Sequence, residues 1–522
     1  MTAAALFGIV DLGTWNIRFS INSIQPHHAR ILPCVFQDRA PIRLFKGADI
    51  PITDEEIKET IVALKRFSSI CSTYGVPLQN VRIAANPHEA PNLDDLIERI
   101  RVELKLDVLR LSKEGEHWAN AYGIAASVYE ARGMYIELRP SHANLYYLNL
   151  SNTGPSADDS EEEFTAAEAL IGPVKVPYIP NTKYRVHSPD ENADNEHGNV
   201  WDVLELRDFH NRLKEACLTL AEKASASGTA SSTVFLSSSG FYGLHTLLSH
   251  ASQGFRMVTD GLVMQPSTLL ELKVNSKLSH VVQIVGSSLP EATKRIVYVH
   301  HNLRNGLLFQ ALPPQIRHQD PLLVATKPYA LPGARKLAEE LRNTLPKELC
   351  PAFIRDRLVR AVANAAYVHS SYSTEVQSIS ALLVAETGLL SGAHGMTHED
   401  KALLGIALCQ RWGGFLNDTG RAIYDEVMES VTDPKLVYWA MYLGMILYLL
   451  GAAYPGANVR PDAVSISTEL VNAETGQFKL IVHLTRDSLY GDNVIMDTRI
   501  KRTRSKLESL NGIKVDFVVT KV

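Results

Sequence analysis

A chain of 522 residues, 45% of them hydrophobic and 21% charged, has ordinary globular composition. It holds enough material for about three domains, each with its own core, and a formal net charge of -5 excludes the broad basic field that nucleic-acid binders carry. Five scattered cysteines (Cys34, Cys71, Cys217, Cys350, Cys409), an odd number with no CxxC pair, predict free thiols in a reducing compartment and speak against structural zinc.

The first ten residues carry no positive charge and their apolar run stops at Asp11, which predicts no signal peptide. Residues 4–45 read as three strands joined by short turns, "ALFGIVDL", "IRFSINSI" and "RILPCVFQ". The first two meet at Asp-Leu-Gly-Thr-Trp. Such a turn usually holds phosphate, because glycine lets consecutive N–H groups face an anion, yet Trp15 is a large ring where the pocket wants something small. Thr53, with Glu56 three residues later, predicts a capping box and a helix over 53–74. A strand "VRIAAN", a helix "LDDLIERIRVEL", a strand "LDVLRLS" and a helix from 114 to about 131 follow, the pattern of an α/β domain with an antiparallel opening. A second sequence of the same type begins at "GMYIEL", with "ANLYYLNL" as its partner strand.

Two acidic, polar stretches, "SNTGPSADDSEEEF" and "HSPDENADNEHGN", read as solvated loop insertions rather than interaction tails, and "ASASGTASST" as a flexible connector. From about residue 332 the pattern turns helical, and the chain finishes with strand-like "VSISTEL", "FKLIVHL" and "KVDFVVTKV". Residues 436–454 run without a charge, near the length of a membrane span. A single late span without a basic flank fits the topology rules poorly, so the segment is read as the buried central helix of a helical domain. In "AHGMTHED", His394 and His398 are four apart and would suit a metal. Thr397, however, reads as a helix N-cap with Glu399 and Asp400 in the first turn, and no second ligand set stands out. The pair His300–His301 is discounted likewise.

Four stretches in order, "DLGTWNIRFSI", "LRLSKEGEHWANAYGIAAS", "LRNGLLFQALPPQIRHQDPLLVATKPY" and "LLSGAHGMTHEDKALLGIALCQRWGG", resemble the exopolyphosphatase/guanosine pentaphosphate phosphatase family. The likeness covers 7 to about 460 and is nearest to the fungal retrograde-regulation proteins. It implies an actin/Hsp70-type two-lobed ATPase fold, that is, duplicated ribonuclease-H-like units in the α/β class, with a helical C-terminal domain ending in strands. The expected lobes are 1–131 and 132–331, followed by a mainly helical domain over 332–522.

The resemblance also implies a phosphoanhydride hydrolase, and such chemistry needs N–H donors, a cation, usually a metal, and a carboxylate base. In the first phosphate loop Asp11 and Gly13 match, Thr14 stands for serine and Trp15 for asparagine. Asp11 would orient a metal-bound water, or simply cap the turn as a strand-end carboxylate. Glu116 matches the family's second base-helix glutamate, although first-turn carboxylates such as Glu114 and Glu116 also suit the helix dipole. Glu89 falls where the phosphate-gripping arginine belongs. In the second loop Glu137 stands for aspartate, while Arg139, Pro140 and Ser141 replace three glycines and Asn144 replaces the final glutamate. Pro140 has no N–H, so that cradle of donors is lost. Ile179 stands for a turn glycine. In the last loop Ser238 and Ser239 replace glycines and Tyr242 an arginine, while Gly240 and Gly243 remain.

Each lost donor costs about 3–4 kcal/mol of anion stabilisation, so the combined losses predict a rate deficit above roughly ten-thousandfold. The expectation is a catalytically degenerate, cytoplasmic regulatory scaffold that influences transcription through protein partners. It has no cofactor, no bound metal, no membrane and no direct nucleic-acid contact, and a homodimer is left open. On this reading Asp11, Glu116 and Glu137, with Gly13, Thr14, Arg139, Ser141 and Gly240, are vestigial. The alternatives are a magnesium-dependent hydrolase using Asp11, Glu116 and Glu137, or a cleft repurposed for another ligand with Trp15 and Arg139 as contacts.

Overall fold

The computed structural model describes residues 5–13, 16–24, 32–45, 49–85, 90–129, 131–138, 142–150, 169–177, 203–238, 261–271, 277–299, 303–368, 380–381, 395–414, 418–428, 431–453, 464–472, 477–486, 501, 505, 508 and 513–521. Both acidic stretches and residues 300–301 lie outside them. The described chain divides into two units, residues 1–261 with 265–319, and residues 262–264 with 320–522.

In the first unit, β1 (Ala5–Leu12), β2 (Ile17–Ile24) and β3 (Cys34–Ala40) pair antiparallel as the sequence predicts. β3 starts later than the apolar run because Pro33 has no N–H to give a ladder; its carbonyl accepts from Ser23 N instead. The capping box forms: Thr53 Oγ1 accepts from Glu56 N at 3.3 Å, Glu56 Oε2 accepts from Thr53 N at 2.9 Å, and α1 (Asp54–Thr73) follows. β4 (Val81–Ala85), α2 (Leu93–Leu104), β5 (Val108–Arg110) and α3 (Lys113–Ser127) complete the first half. α3 stops short of residue 131 because Val128 turns extended and the chain enters the next strand. The sheet order is β3-β2-β1-β4-β5, with β4 and β5 parallel to β1.

The second half repeats this order. β6 (Ala131–Leu138), β7 (His142–Leu150) and β8 (Ala169–Pro177) form the antiparallel meander, and β9 (Thr233–Ser238) and β11 (Arg295–Tyr298) run parallel to β6, giving β8-β7-β6-β9-β11 within the unit. Leu262–Met264 is β10. Two sheets with one order and one pattern of strand directions are the duplicated α/β unit expected of this fold class. Between β8 and β9, α4 (Val203–Ala226) runs into the segment read as a flexible connector. That reading is corrected: Arg132 donates to the carbonyls of Thr229 and Gly228, and the Tyr147 hydroxyl donates to Thr229 O at 2.9 Å, so the turn is pinned by the sheet. α5 (Lys277–Ser288) and α6 (Leu303–Gln310) complete the unit's main helices. Its first core gathers Val10, Phe19, Leu64, Phe67, Ile83 and Leu96.

The second unit is mainly helical: α7 (Pro321–Thr326), α8 (Ala334–Asn343), a π-helical turn (Phe353–Leu358) running into α9 (Val359–Ala365), α10 (His398–Arg411), α11 (Asp418–Met428) and α12 (Pro434–Ala453). α12 is the charge-free segment. Its Ala440, Leu443 and Ile446 are fully buried, and Gly444 packs so close to the Ala407 carbonyl of α10 that a methyl group would collide with it. Among the described residues no helix is long and apolar enough to cross a membrane. The chain closes on a three-stranded sheet, β12 (Val464–Asn472), β13 (Gln477–Arg486) and β14 (Ile513–Lys521), the last two parallel.

Candidate functional site

The first turn is built by register. Asp11 at the end of β1 lies opposite Arg18 of β2, and the chain reverses through Gly13. The reversal is tight: a Cβ on Gly13 would stand 3.0 Å from the Asn16 carbonyl. Asn16 Oδ1 accepts from Arg18 Nε at 2.9 Å, which braces the far side of the turn. Asp11 is 7% exposed, and its Oδ1 has no hydrogen-bond donor among the described residues. Burial pushes its carboxyl above the ordinary value. Arg18 and Arg304 pull it back, and the Glu116 charge adds to the rise.

Glu116, whose charge bears on Asp11, belongs to α3. Ser112 caps the helix by accepting from Gly115 N at 3.0 Å, and Glu116 N donates to Ser112 O, so Glu116 sits half-buried in the first turn. Arg304 comes from α6, which lies against α3 so closely that a methyl on Gly306 would run into the Ala119 carbonyl. Burial lowers the Arg304 guanidinium below the usual arginine range, while the Asp11 charge holds it up. The structure therefore assembles Asp11, Gly13 and Glu116 with two cations, Arg18 and Arg304, that the motif reading passed over. Arg304 stands in "LRNGLLFQ", in a helix whose Leu303, Gly306, Leu307, Leu308 and Phe309 are buried, and it is this packing that brings it to Asp11.

Glu137 stands on the other sheet. It is 2% exposed, lies opposite Asn144 across the β6–β7 ladder, and its Oε2 accepts from Asn144 Nδ2 at 3.1 Å. Beside it the Tyr135 hydroxyl shares a 2.7 Å hydrogen bond with Ser237 Oγ. The Tyr135 ring stacks on Tyr146 at 5.6 Å, and His117 of α3 meets Tyr146 edge-on at 5.4 Å. Thr14, Trp15, Glu89, Arg139, Pro140, Ser141, Ile179, Gly240, Tyr242 and His394 lie outside the described residues, and so does the contact between Trp15 and Arg139 that a filled cleft would need.

In the second unit the "THED" segment is a capping box rather than a ligand set. Asp400 Oδ2 accepts from Thr397 N and Oγ1, each at 2.9 Å, and Thr397 Oγ1 accepts from Asp400 N. Glu399 Oε1 accepts from Thr432 N and Oγ1. Among the described residues no group of three His, Cys, Asp or Glu side chains is placed to hold a metal.

The sequence model of the RTG2 C-terminal domain matches residues 320–511. Retrograde regulation protein 2 of Saccharomyces cerevisiae is 31% identical over 530 residues, spanning 91% of this chain and 86% of that protein. Among solved structures, the Ppx/GppA family member of Aquifex aeolicus aligns with 58% of this chain and 96% of its own at 14% identity, with a TM-score of 0.40. An exopolyphosphatase from Cytophaga hutchinsonii aligns with 59% of this chain and 97% of its own at 15% identity, with a TM-score of 0.39. By its identity to the yeast protein along nearly its whole length, the chain belongs to the retrograde regulation protein 2 family.

Proposed function

We propose that this chain is a non-hydrolysing regulatory protein that works in the cytoplasm through protein partners, its phosphate turns retained as architecture. The observation that carries the reading is the Asn144–Glu137 hydrogen bond. An amide side chain holds a buried carboxylate that a hydrolase would need free for metal or water. The name of the yeast relative supports a regulatory role, and the net charge of -5 supports action through proteins rather than on DNA. The test is phosphate release by the purified full-length chain from polyphosphate and from a guanosine polyphosphate with magnesium. The expected rate is that of buffer.

Arg18 and Arg304 beside the Asp11 turn favour one second reading, in which the turn still holds an anion without cleaving it. A nucleotide-dependent rise in melting temperature that disappears in Arg304→Met would support that reading, and a flat response would remove it.

A further inference from the structure

The last turn of α10 holds a buried cation that no opposite charge meets. Arg411 is 9% exposed, and the side chains that bear on its guanidinium are two tyrosines. Tyr367, just past the end of α9, shares a hydrogen bond with it, and Tyr448 stands on α12. Among the described residues no carboxylate pairs with it. An arginine stays protonated inside a protein, so this charge is carried out of water without a counter-ion. Burial accordingly lowers the guanidinium below the usual arginine range, and only the tyrosines hold it up.

Two ordinary compensations do not replace a counter-charge here. The guanidinium lies 4.6 Å over the Trp412 ring and 5.6 Å over the Tyr367 ring. Aromatic faces attract a cation but leave its in-plane N–H groups without acceptors. An arginine in a last turn can also bond the helix's free carbonyls. The carbonyls of Cys409 and Gln410, however, are already taken by the N–H groups of Trp412, Gly413 and Gly414 as the chain curls away.

A second donor in the cluster is also unmet. Trp412 Nε1 is closed off from water and has no hydrogen-bond acceptor. Gly413, at φ 99°, turns the chain against the Tyr448 ring, which stands 3.6 Å from where a Cβ on that residue would be. Tyr367, Trp412 and Tyr448 are each partly exposed, so the cluster reaches water at its rim. Its groups are a guanidinium, an indole N–H and two hydroxyls, that is, one positive charge among neutral donors.

We propose that the ends of α9 and α10, with Tyr448 of α12, form a binding site for a small carboxylate-bearing molecule. The carboxylate meets the N–H edge of Arg411 as a fork, accepts from Trp412 Nε1 and is flanked by the two tyrosine hydroxyls. A single negative charge balances a single guanidinium, whereas a phosphate ester brings nearly two at pH 7. An occupied site would tie three helices of the second unit together and couple that unit's stability to the ligand's concentration. The site lies within the stretch matched by the C-terminal domain model and uses none of Asp11, Glu116 or Glu137, so it stands whether or not those residues support hydrolysis.

The test uses the full-length chain carrying 5-fluorotryptophan, followed by fluorine NMR while sodium acetate replaces sodium chloride at equal ionic strength. Trp412→Phe assigns the Trp412 resonance among the five tryptophans. Acetate should shift that resonance and saturate, with a midpoint of about 1–10 mM for so small a ligand. It should also raise the melting temperature over that in chloride, and the rise should vanish in Arg411→Gln. Trp412→Phe keeps a ring in place and removes only the indole donor, so it serves if Arg411→Gln fails to fold. Its midpoint, read by melting temperature, should rise about threefold or more. A Trp412 resonance that moves without saturating, or a melting response that is the same in the native and Trp412→Phe chains, overturns the proposal. So does tighter binding of sodium phosphate than of acetate, since the site would then take a more highly charged anion.

Discussion

Asn144 and Glu137 face each other across the β6–β7 ladder, with the amide donating to the carboxylate at 3.1 Å in a site almost closed to water. In this geometry β6 and β7 are tied to each other by a buried side-chain pair as well as by their ladder. Asn144→Ala removes a buried donor and should lower stability by about 1–3 kcal/mol. Asn144→Asp places a second carboxylate against the first and should lower it further at pH 7, with the deficit shrinking in acid as the pair takes up a proton. Urea titrations at pH 7 and 5 check the order. Equal stability of the native and Asn144→Asp chains at pH 7 would show that Glu137 does not depend on the amide.

Asp11 gives a pH signature of opposite sense to a paired carboxylate. Burial raises its pKa above 3.8, so the folded chain holds that proton more tightly than the unfolded chain. The contribution is favourable below the unfolded value and is lost as pH climbs through the folded one. Asp11→Asn keeps the neutral shape at every pH. Its melting temperature should exceed that of the native chain at pH 7, the gap closing toward about pH 4. A variant less stable at pH 7 would mean that Arg18 and Arg304 outweigh burial.

Helix contacts without room for a methyl group set two further expectations. Gly306→Ala meets the Ala119 carbonyl and Gly444→Ala meets the Ala407 carbonyl, both backbone atoms that cannot rotate away. Each should cost about 1–3 kcal/mol or more, against the small gain alanine usually brings inside a helix. Thermal melts of the two variants, either of which could show the usual gain instead, decide it.

The π-helical turn Phe353–Leu358 aims Arg357 at two helix caps. Its guanidinium forks onto Asp320, which accepts from Leu322 N at the start of α7, and Nη1 reaches Asp400 of the α10 capping box at 3.4 Å. All three side chains are largely buried. Arg357→Met strands two carboxylates and should destabilise the second unit by about 3–5 kcal/mol. The triple variant Arg357→Met, Asp320→Asn, Asp400→Asn should recover much of that loss, measured by denaturant unfolding.

Much of the fold was legible because local chemistry and tertiary context agree. Thr53 caps its helix where the spacing to Glu56 predicts, Thr397 is the N-cap it reads as, and "FGIVDLG" buries as a strand ending at a tight glycine turn. The pinned turn at Gly228 and Thr229 was not legible, since its small polar composition is that of a linker and its partners, Arg132 and Tyr147, are about ninety residues away in sequence. The candidate site was legible by halves. Asp11 and Glu116 stand in motifs, whereas Arg304 joins them only through the packing of α6 on α3, and no spacing announces that. Asn144 read only as standing where the family carries a glutamate; the β6–β7 register places it opposite Glu137.

The central claim is the absence of hydrolysis, and the most direct measurement is phosphate release by purified full-length chain from polyphosphate and from a guanosine polyphosphate, with and without magnesium. The account predicts release at the rate of buffer, unchanged in Glu116→Gln. Magnesium-dependent turnover that Glu116→Gln abolishes would contradict it.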